Sequence, residues 1–560
     1  MKSYDAGIED LEPSLWETNF PQALRNTFEK FSNKLALEYM GVELTFGELD
    51  IYSNKFAHFL LNVGLHKGDV IGLNLANMPQ FVIALLGAMK IGCVVTGVSP
   101  LLSEEQLSYQ LNDSEAKAII TLDAVFERKL TRIATDLKFL QLIVTTNVGD
   151  FLPKYKQILG KLTKKIPTGK VTPLNGIIIK DFFDVLRAKE YSTLLPSNNI
   201  SPDDLAFIIY TGGTTGPPKG AMLSHRNIMA DLIMVHKWLN WEQGKGLALS
   251  GFPFFHVAGL FFCENCLYLG WSQLLVPNPR DTNLICNLIA KYKPTALVNV
   301  PSLYQMLLAN PKFKTLDHSN LDTCISSASP FPVESQKELE AIVGKGKLLE
   351  VYGMTETSPL TVMNPYRGVK KLGTIGLPLM NTDIKLVDPG TQEVVKIGEP
   401  GEMLIKGPQV MKGYWKKPEE TSNTIDEEGW LHSGDVAVFD EEGYLRLVDR
   451  TKDMIIVGGF KVFSNKLENI LSEHPAIHMA ATIGVPNPER PGSEFVKTYL
   501  TISPDYQYDK EKPEMLKQEI TDWIRTKVAP YEVPKFIEIR EELPLTLVGK
   551  VDKRLLRNEK

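Results

Sequence analysis

Cysteine is scarce in this chain, with five among 560 residues. Only Cys263-Glu-Asn-Cys266 forms a close pair, and no second pair stands at zinc spacing. Cys93, Cys286 and Cys324 lie in apolar surroundings. A disulfide framework is excluded, and all five read as reduced core thiols of a cytoplasmic protein. Long hydrophobic runs are also missing. The best candidate, Phe81 to Val98, carries Lys90 in its middle and is interrupted by Gly87 and Gly92. It reads as a buried helix followed by a buried strand. Met1 to Phe20 is acidic and has no apolar centre, so it is not a secretory signal. There is no excess of positive charge: the net charge is −6, which gives no reason to expect nucleic acid as a partner.

What is present is an ordinary globular balance of 43% hydrophobic and 23% charged residues. The length exceeds what one hydrophobic core supports, so at least two domains are expected. From Leu44 to Ile120, helical periods alternate with short apolar runs. Phe46 to Val63, Pro79 to Lys90 and Glu104 to Asn112 read as helices. Val70 to Leu75, Val94 to Val98 and Ala118 to Leu122 read as strands. Such repetition predicts a parallel sheet covered on both faces. Residues 151–180 differ in kind, with Lys154, Lys156, Lys161, Lys164, Lys165, Lys170 and Lys180 and no acid. Leu152, Ile158, Leu159, Leu162 and Ile166 are interleaved with them. The segment suits either a solvated loop between subdomains or an anionic membrane surface, where each basic residue contributes about 1 kcal/mol.

The chain is read around Tyr210 to Gly220, Tyr-Thr-Gly-Gly-Thr-Thr-Gly-Pro-Pro-Lys-Gly. An apolar run, Leu205 to Tyr210, precedes it. Ser224 can cap a following helix bearing Ile228, Leu232 and Val235, which predicts a strand-to-helix loop. Glycines let backbone N–H groups converge on an anion, two threonines add hydroxyl donors, and Lys219 adds charge. Pro217 and Pro218 fall where a Walker loop needs Gly-Lys, which rules against a P-loop nucleotidase.

This motif resembles the phosphate loop of the adenylate-forming superfamily, and further motifs follow in the expected order. The resemblance assigns phosphate contacts to Thr211, Gly212, Gly213, Thr214, Thr215, Gly216 and Lys219. In Pro253 to Phe262 it places His256 and Gly259 at the acyl entrance, with no proton-transfer role for His256. Ser327, Ala328 and Ser329 stand where relatives commonly carry Gly, Gly and Ala in the adenine wall. Glu350-Val351-Tyr352-Gly353-Met354-Thr355-Glu356 is the second strong motif. There Tyr352 would stack on adenine, Gly353 would keep the backbone near the ribose, Thr355 would donate to the α-phosphate, and Glu356 would bind Mg²⁺. Asp435 and Arg450 would hold the ribose, Lys452 would be the hinge, and Gly458, Gly459 and Phe460 would line the pantetheine channel. Lys550, in Leu543 to Lys550, resembles the lysine that bridges the attacking carboxylate and the α-phosphate. One stretch departs from the pattern. Where relatives tend to read Val-x-Pro-x-Glu-Ile-Glu, Val462 to Glu468 carries Ser464 and Lys466.

The resemblance covers nearly the whole chain and is nearest to bacterial long-chain fatty-acid–CoA ligases. It implies an α/β fold, with a large N-terminal domain (1–448) of two α/β sheets plus a β-barrel. A smaller mobile α+β domain (449–560) would follow, hinged near Lys452. The implied chemistry joins fatty acid, ATP and CoA through an acyl-adenylate, with Mg²⁺ as cofactor. An acyl-AMP ligase loading a carrier protein, an aryl or medium-chain acid–CoA ligase, and a membrane-attached acyl-nucleotide binding protein remain alternatives. The basic segment then reads as a peripheral dock on the inner face of the plasma membrane. Relatives often form homodimers, but no residue here selects an oligomeric state or a chain length.

Overall fold

The computed structural model describes residues 4–163, 166–197, 199–211, 217–329, 331–490, 492–509, 511–545 and 551–559. Two large sheets carry the N-terminal part. In one of seven strands, Ile178–Asp181, Leu142–Thr146, Ala118–Leu122, Val70–Asn74, Val94–Gly97 and Leu205–Thr211 run parallel, and Lys219–Ser224 closes one edge antiparallel. The other has nine strands among the described residues. Its parallel centre is Leu348–Gly353, Thr323–Ser326, Ala296–Asn299, Leu247–Ser250, Ser272–Leu275 and Leu35–Tyr39, with antiparallel strands at both edges. Central strands such as Leu142–Thr146 are buried along their full length, because helices cover both faces.

The expected elements between Leu44 and Ile120 are present. Helices Phe46–Asn62 and Glu104–Asp113 each start with a capping box, from Thr45 and Glu48 and from Ser103 and Gln106. Phe81 to Val98 divides into helix Pro79–Lys90 and strand Val94–Gly97. The buried Lys90 ammonium is neutralised by Asp50 at 2.6 Å and also donates to Ser53 and Asn54, each at 2.7 Å. No described helix is long and apolar enough to cross a membrane. All five cysteines are free and buried.

The expected β-barrel takes a different form. Asp383–Val387, Gly401–Lys406, Leu431–Phe439 and Leu445–Arg450 make a four-stranded antiparallel sheet in that order. Among the described residues its two outer strands do not pair with each other, so it is an open sheet. Beyond it lies a smaller α+β unit. Its three-stranded sheet of Ile477–Pro486, Glu494–Ile502 and Phe536–Arg540 is packed by helices Ser464–Leu471, Pro513–Arg525 and Lys553–Asn558. That unit has its own core, with Leu467, Leu471, Val496, Leu500, Leu516, Ile520 and Ile524 in one cluster.

Lys90 supplies a test of the N-terminal packing. Asp50→Ala leaves a buried ammonium without its carboxylate and is expected to cost about 2 kcal/mol. The loss would be read as a lower midpoint for the N-terminal transition in urea.

Candidate active site

The site gathers at the C-terminal ends of the parallel strands, where ligands of open α/β sheets bind. The phosphate loop does not run from strand to helix as its sequence suggests. Leu205–Thr211 pairs antiparallel with Lys219–Ser224, so Thr211 faces Lys219 across a hairpin. Ser224 does cap the next helix, His225–Leu239, in a capping box with Asn227. The intervening strand forms because Ala221 and Leu223 bury their side chains while its free edge meets residues 412–415. Met222 N–H donates to Gly413 O at 2.9 Å, Lys412 N–H to Met222 O at 2.9 Å and Trp415 N–H to Gly220 O at 2.8 Å. Gly212, Gly213, Thr214, Thr215 and Gly216 lie outside the described residues.

Glu356 sits in the short turn Thr355–Thr357, and both it and Thr355 are buried. Its Oε1 accepts the Tyr414 hydroxyl at 2.7 Å, and its carbonyl accepts Met411 N–H at 2.8 Å. Burial raises the Glu356 carboxyl above the usual range, while the Tyr414 hydrogen bond and the nearby Lys219 pull it back. Lys219 Nζ lies 4.4 Å from the Tyr414 ring centroid and pairs with Glu420 at 2.8 Å. Tyr414 and Glu420 were not picked out as site residues. Tyr414 lies in Gly-Tyr-Trp at 413–415, and nothing in that stretch points to a partner almost sixty residues earlier.

A second group lies beside the first. The Tyr352 hydroxyl donates to Asp435 Oδ2 at 2.6 Å, and Arg450 Nε meets Asp435 Oδ1 at 3.2 Å. Asp435 and Arg450 are direct cross-strand partners, so the ladder register itself sets this pair. Burial and the Asp435 charge hold the Tyr352 phenol well above its ordinary value. Asp435 also pushes Glu356 upward, which ties the two groups electrostatically. Glu350, Val351 and Tyr352 lie on the strand Leu348–Gly353. Burial pushes Glu350 up to about 7, against the pull of the Gln336 amide that donates to it at 2.7 Å. Gly353 is required by close approach, since a Cβ there would stand 1.9 Å from Pro359 O. Met354 N–H donates to that same carbonyl at 3.0 Å.

Ser327, Ala328 and Ser329 follow the strand Thr323–Ser326. Ala328 has φ +73°, a left-handed conformation that costs a non-glycine residue about 1 kcal/mol. The glycine expected there is thus a conformational requirement, which this chain meets with strain. His256 caps helix Val257–Leu269, its Nδ1 accepting Ala258 N–H at 3.3 Å. Gly259 admits no side chain, because a Cβ would lie 2.1 Å from Pro253 O.

Other expected residues lie on the C-terminal side. Lys452 follows Arg450, and partial burial together with that like charge pulls it down to about 8. Gly458 and Gly459, at φ +60° and +92°, form a tight hairpin between Ile455–Val457 and Phe460–Val462. Phe460 is exposed and stacks on Tyr531 at 4.7 Å. In this arrangement Gly458 N–H donates to Ser493 Oγ at 2.8 Å. Lys550 lies outside the described residues.

The fit to Mg²⁺ rests on Glu356. It is one hard carboxylate, buried and raised, with the Lys219 charge nearby. No cluster of three acidic, histidine or cysteine ligands occurs among the described residues. One carboxylate suits an ion that draws its remaining ligands from substrate phosphates and water.

Residues 24–415 match the model of the AMP-binding enzyme family, and residues 466–550 match that of the AMP-binding enzyme C-terminal domain. The long-chain-fatty-acid–CoA ligase of Bacillus subtilis strain 168 is 38% identical over 545 residues, covering 96% of this chain and 93% of that protein. A long-chain-fatty-acid–CoA ligase of Escherichia coli O6:H1 is 38% identical over 550 residues, covering 96% of this chain and 94% of that protein. Among solved structures, the anthranilate CoA ligase AuaEII in complex with anthranoyl-AMP matches with a TM-score of 0.82 at 26% identity, covering 98% of each chain.

The Tyr414–Glu356 bond generates a pH prediction. Its hydrogen bond lowers the Glu356 pKa, so Tyr414→Phe raises it further and shrinks the ionised fraction at a given pH. The acid limb of activity should move to higher pH, with the loss growing as pH falls. A pH profile of ATP–pyrophosphate exchange for both proteins reads this directly.

Proposed function

The chain belongs to the AMP-binding enzyme family, and on that premise we propose that it is a long-chain fatty acid–CoA ligase. The observation that carries this reading is the 38% identity to such ligases along 96% of the chain. A fatty carboxylate oxygen attacks the α-phosphorus of ATP, and the bond to the bridging oxygen breaks to release pyrophosphate. The CoA thiolate then attacks the acyl carbon and AMP leaves. A carboxylate oxygen is a poor leaving group where AMP is a good one, so the first step enables the second.

Named residues take roles in this scheme. Lys219 is held by Glu420 through a half-exposed pair, a contact worth roughly 0–1 kcal/mol, so exchanging it for phosphate oxygens costs little. Together with Thr211 and residues 212–216 it would hold the phosphates, and Thr355 would donate to the α-phosphate. Glu356 would hold Mg²⁺, which when bound screens phosphate charge. Asp435 would accept both ribose hydroxyls, with Arg450, which meets it at 3.2 Å, as a second ribose contact. Tyr352 would present its ring to adenine beside Ser327, Ala328 and Ser329. His256, already used as a helix cap, would line the acyl entrance with Gly259. Lys550 would serve adenylation, and rotation about Lys452 would bring Gly458, Gly459 and Phe460 to CoA. We place the domain boundary at 448/449.

The departures at Ser464 and Lys466 do not favour a carrier-protein acceptor. Lys466 pairs with buried Glu532 at 2.8 Å, and Ser464 is fully buried in hydrogen bonds. Both residues are accommodated within the fold.

Peripheral contact with an anionic membrane is supported by helix Lys154–Leu162. Tyr155, Ile158, Leu159 and Leu162 are 67%, 60%, 61% and 76% exposed. Their spacing sets them on one helix face, flanked by Lys154, Lys156 and Lys161. This fits a cytoplasmic enzyme meeting the inner leaflet to collect an acyl chain.

ATP–pyrophosphate exchange across a fatty-acid panel, with Lys550→Ala and then added CoA, tests the main reading. We expect long chains to support exchange, the variant to lose about a hundredfold or more, and AMP release to require CoA. Exchange without CoA-dependent AMP release would overturn the ligase assignment. For the membrane contact, Ile158→Ser, Leu159→Ser and Leu162→Ser together should cut sedimentation with phosphatidylglycerol vesicles by about tenfold. Exchange with a water-soluble medium-chain acid should be unchanged.

A further inference from the structure

Outside the nucleotide site, the C-terminal unit holds a buried polar chain of its own. Asp449, 2% exposed, is the penultimate residue of the strand Leu445–Arg450, just before Arg450, the partner of Asp435. Its Oδ1 accepts the Ser464 hydroxyl at 3.0 Å, and its Oδ2 accepts Ser464 N–H and, at 3.4 Å, Asn465 N–H. The carboxylate therefore caps the first turn of helix Ser464–Leu471 from a distant strand. Lys553 Nζ donates to that same Ser464 hydroxyl at 2.8 Å and pairs with Glu468 at 2.7 Å. Glu468 also accepts Thr482 N–H at 2.5 Å, so Lys553 is held from two sides.

The position of Lys553 gives the chain its meaning. Lys553 opens helix Lys553–Asn558, just after the segment that ends in Lys550. The neck of that segment is closed, with Leu545 bridged to Val551 and Asp552 N–H donating to Pro544 O at 2.7 Å. Farther along the same helix, Arg557 pairs with Asp453 at 2.5 Å. Two cations of one short helix thus grip the carboxylates on either side of Lys452, Asp453 directly and Asp449 through Ser464.

We propose that Ser464 and Lys553 are positioning residues that tie helix Lys553–Asn558, which begins three residues after Lys550, to the hinge strand, and so set the geometry of the adenylation step. The inference rests on the reading of Lys550 as the adenylation lysine. Its chemistry is specific to this chain's departure at position 464. A serine hydroxyl donates to Asp449 and accepts from Lys553 at once, whereas the proline expected there offers neither group nor an N–H. The relay therefore exists because serine stands at 464.

The test separates the two half-reactions in the full-length protein. Ser464→Ala and Lys553→Met are expected to lower kcat for ATP–pyrophosphate exchange by about tenfold or more, with KM for ATP held within about twofold. Thioester formation from supplied dodecanoyl-AMP and CoA should stay within about twofold of wild type, and Lys553→Arg should restore most of the exchange. Unchanged exchange in both variants would overturn the coupling, provided Lys550→Ala abolishes exchange in parallel. Equal losses in both half-reactions with a lowered melting temperature would also overturn it, reducing the contact to packing. Exchange that survives in Lys550→Ala would overturn the lysine's assignment first, and the coupling with it.

Discussion

The site depends on a run of backbone hydrogen bonds between two segments almost two hundred residues apart. Residues 411–415 lie along the free edge of Lys219–Ser224 and also meet the Glu356 turn through Met411 N–H. That single strip places the Tyr414 hydroxyl on Glu356 and the Tyr414 ring under Lys219. An unpaired sheet edge is a liability in most proteins. Here the covering segment converts the edge into a wall that holds Lys219, Tyr414 and Glu356 together.

Charge in this wall is arranged for exchange and not for stability. Glu356 is buried and carries its strongest contact from a neutral hydroxyl, so burial dominates and its carboxyl is raised. Lys219 sits close by but spends its ion pair on half-exposed Glu420. On the proposed function, an arriving polyphosphate would offer Lys219 a denser anion, and a divalent ion would give Glu356 the counter-charge that burial denies it. Neither change asks the backbone to move, because Thr211, Lys219 and Glu356 are already fixed by strand pairing and a short turn. Such preorganisation places the electrostatic cost in folding instead of in catalysis.

Much of this was legible in the sequence because motifs report local backbone needs. Gly353 and Gly259 are demanded by carbonyls closer than a side chain allows, and the strand register delivers Asp435 opposite Arg450. The alternation from Leu44 to Ile120 likewise announced its parallel sheet. What the sequence hid was pairing over distance. Lys219–Ser224 is a short strand whose free edge is covered by residues 412–415, and nothing near it names that cover. The antiparallel sheet around Gly401–Lys406 reads the same whether open or closed, since closure concerns only its outer strands. Ala328 was visible as a substitution, but only its positive φ explains why glycine suits the position.

The hinge region shows how a departure can carry information. A proline at the first turn of a helix stiffens it without needing a partner. Serine at 464 gives up that stiffness and takes on partners instead, the Asp449 carboxylate on one side and the Lys553 ammonium on the other. A buried chain of this kind stabilises little on balance, because desolvation offsets most of the attraction. Its effect is directional: the buried bonds tie strand, helix and terminal segment together. On the proposed function, in which this unit rotates as one body, an internal linkage of that sort matters more than extra core. Geometry, not net stability, is therefore what the exchange of proline for serine brings to this chain.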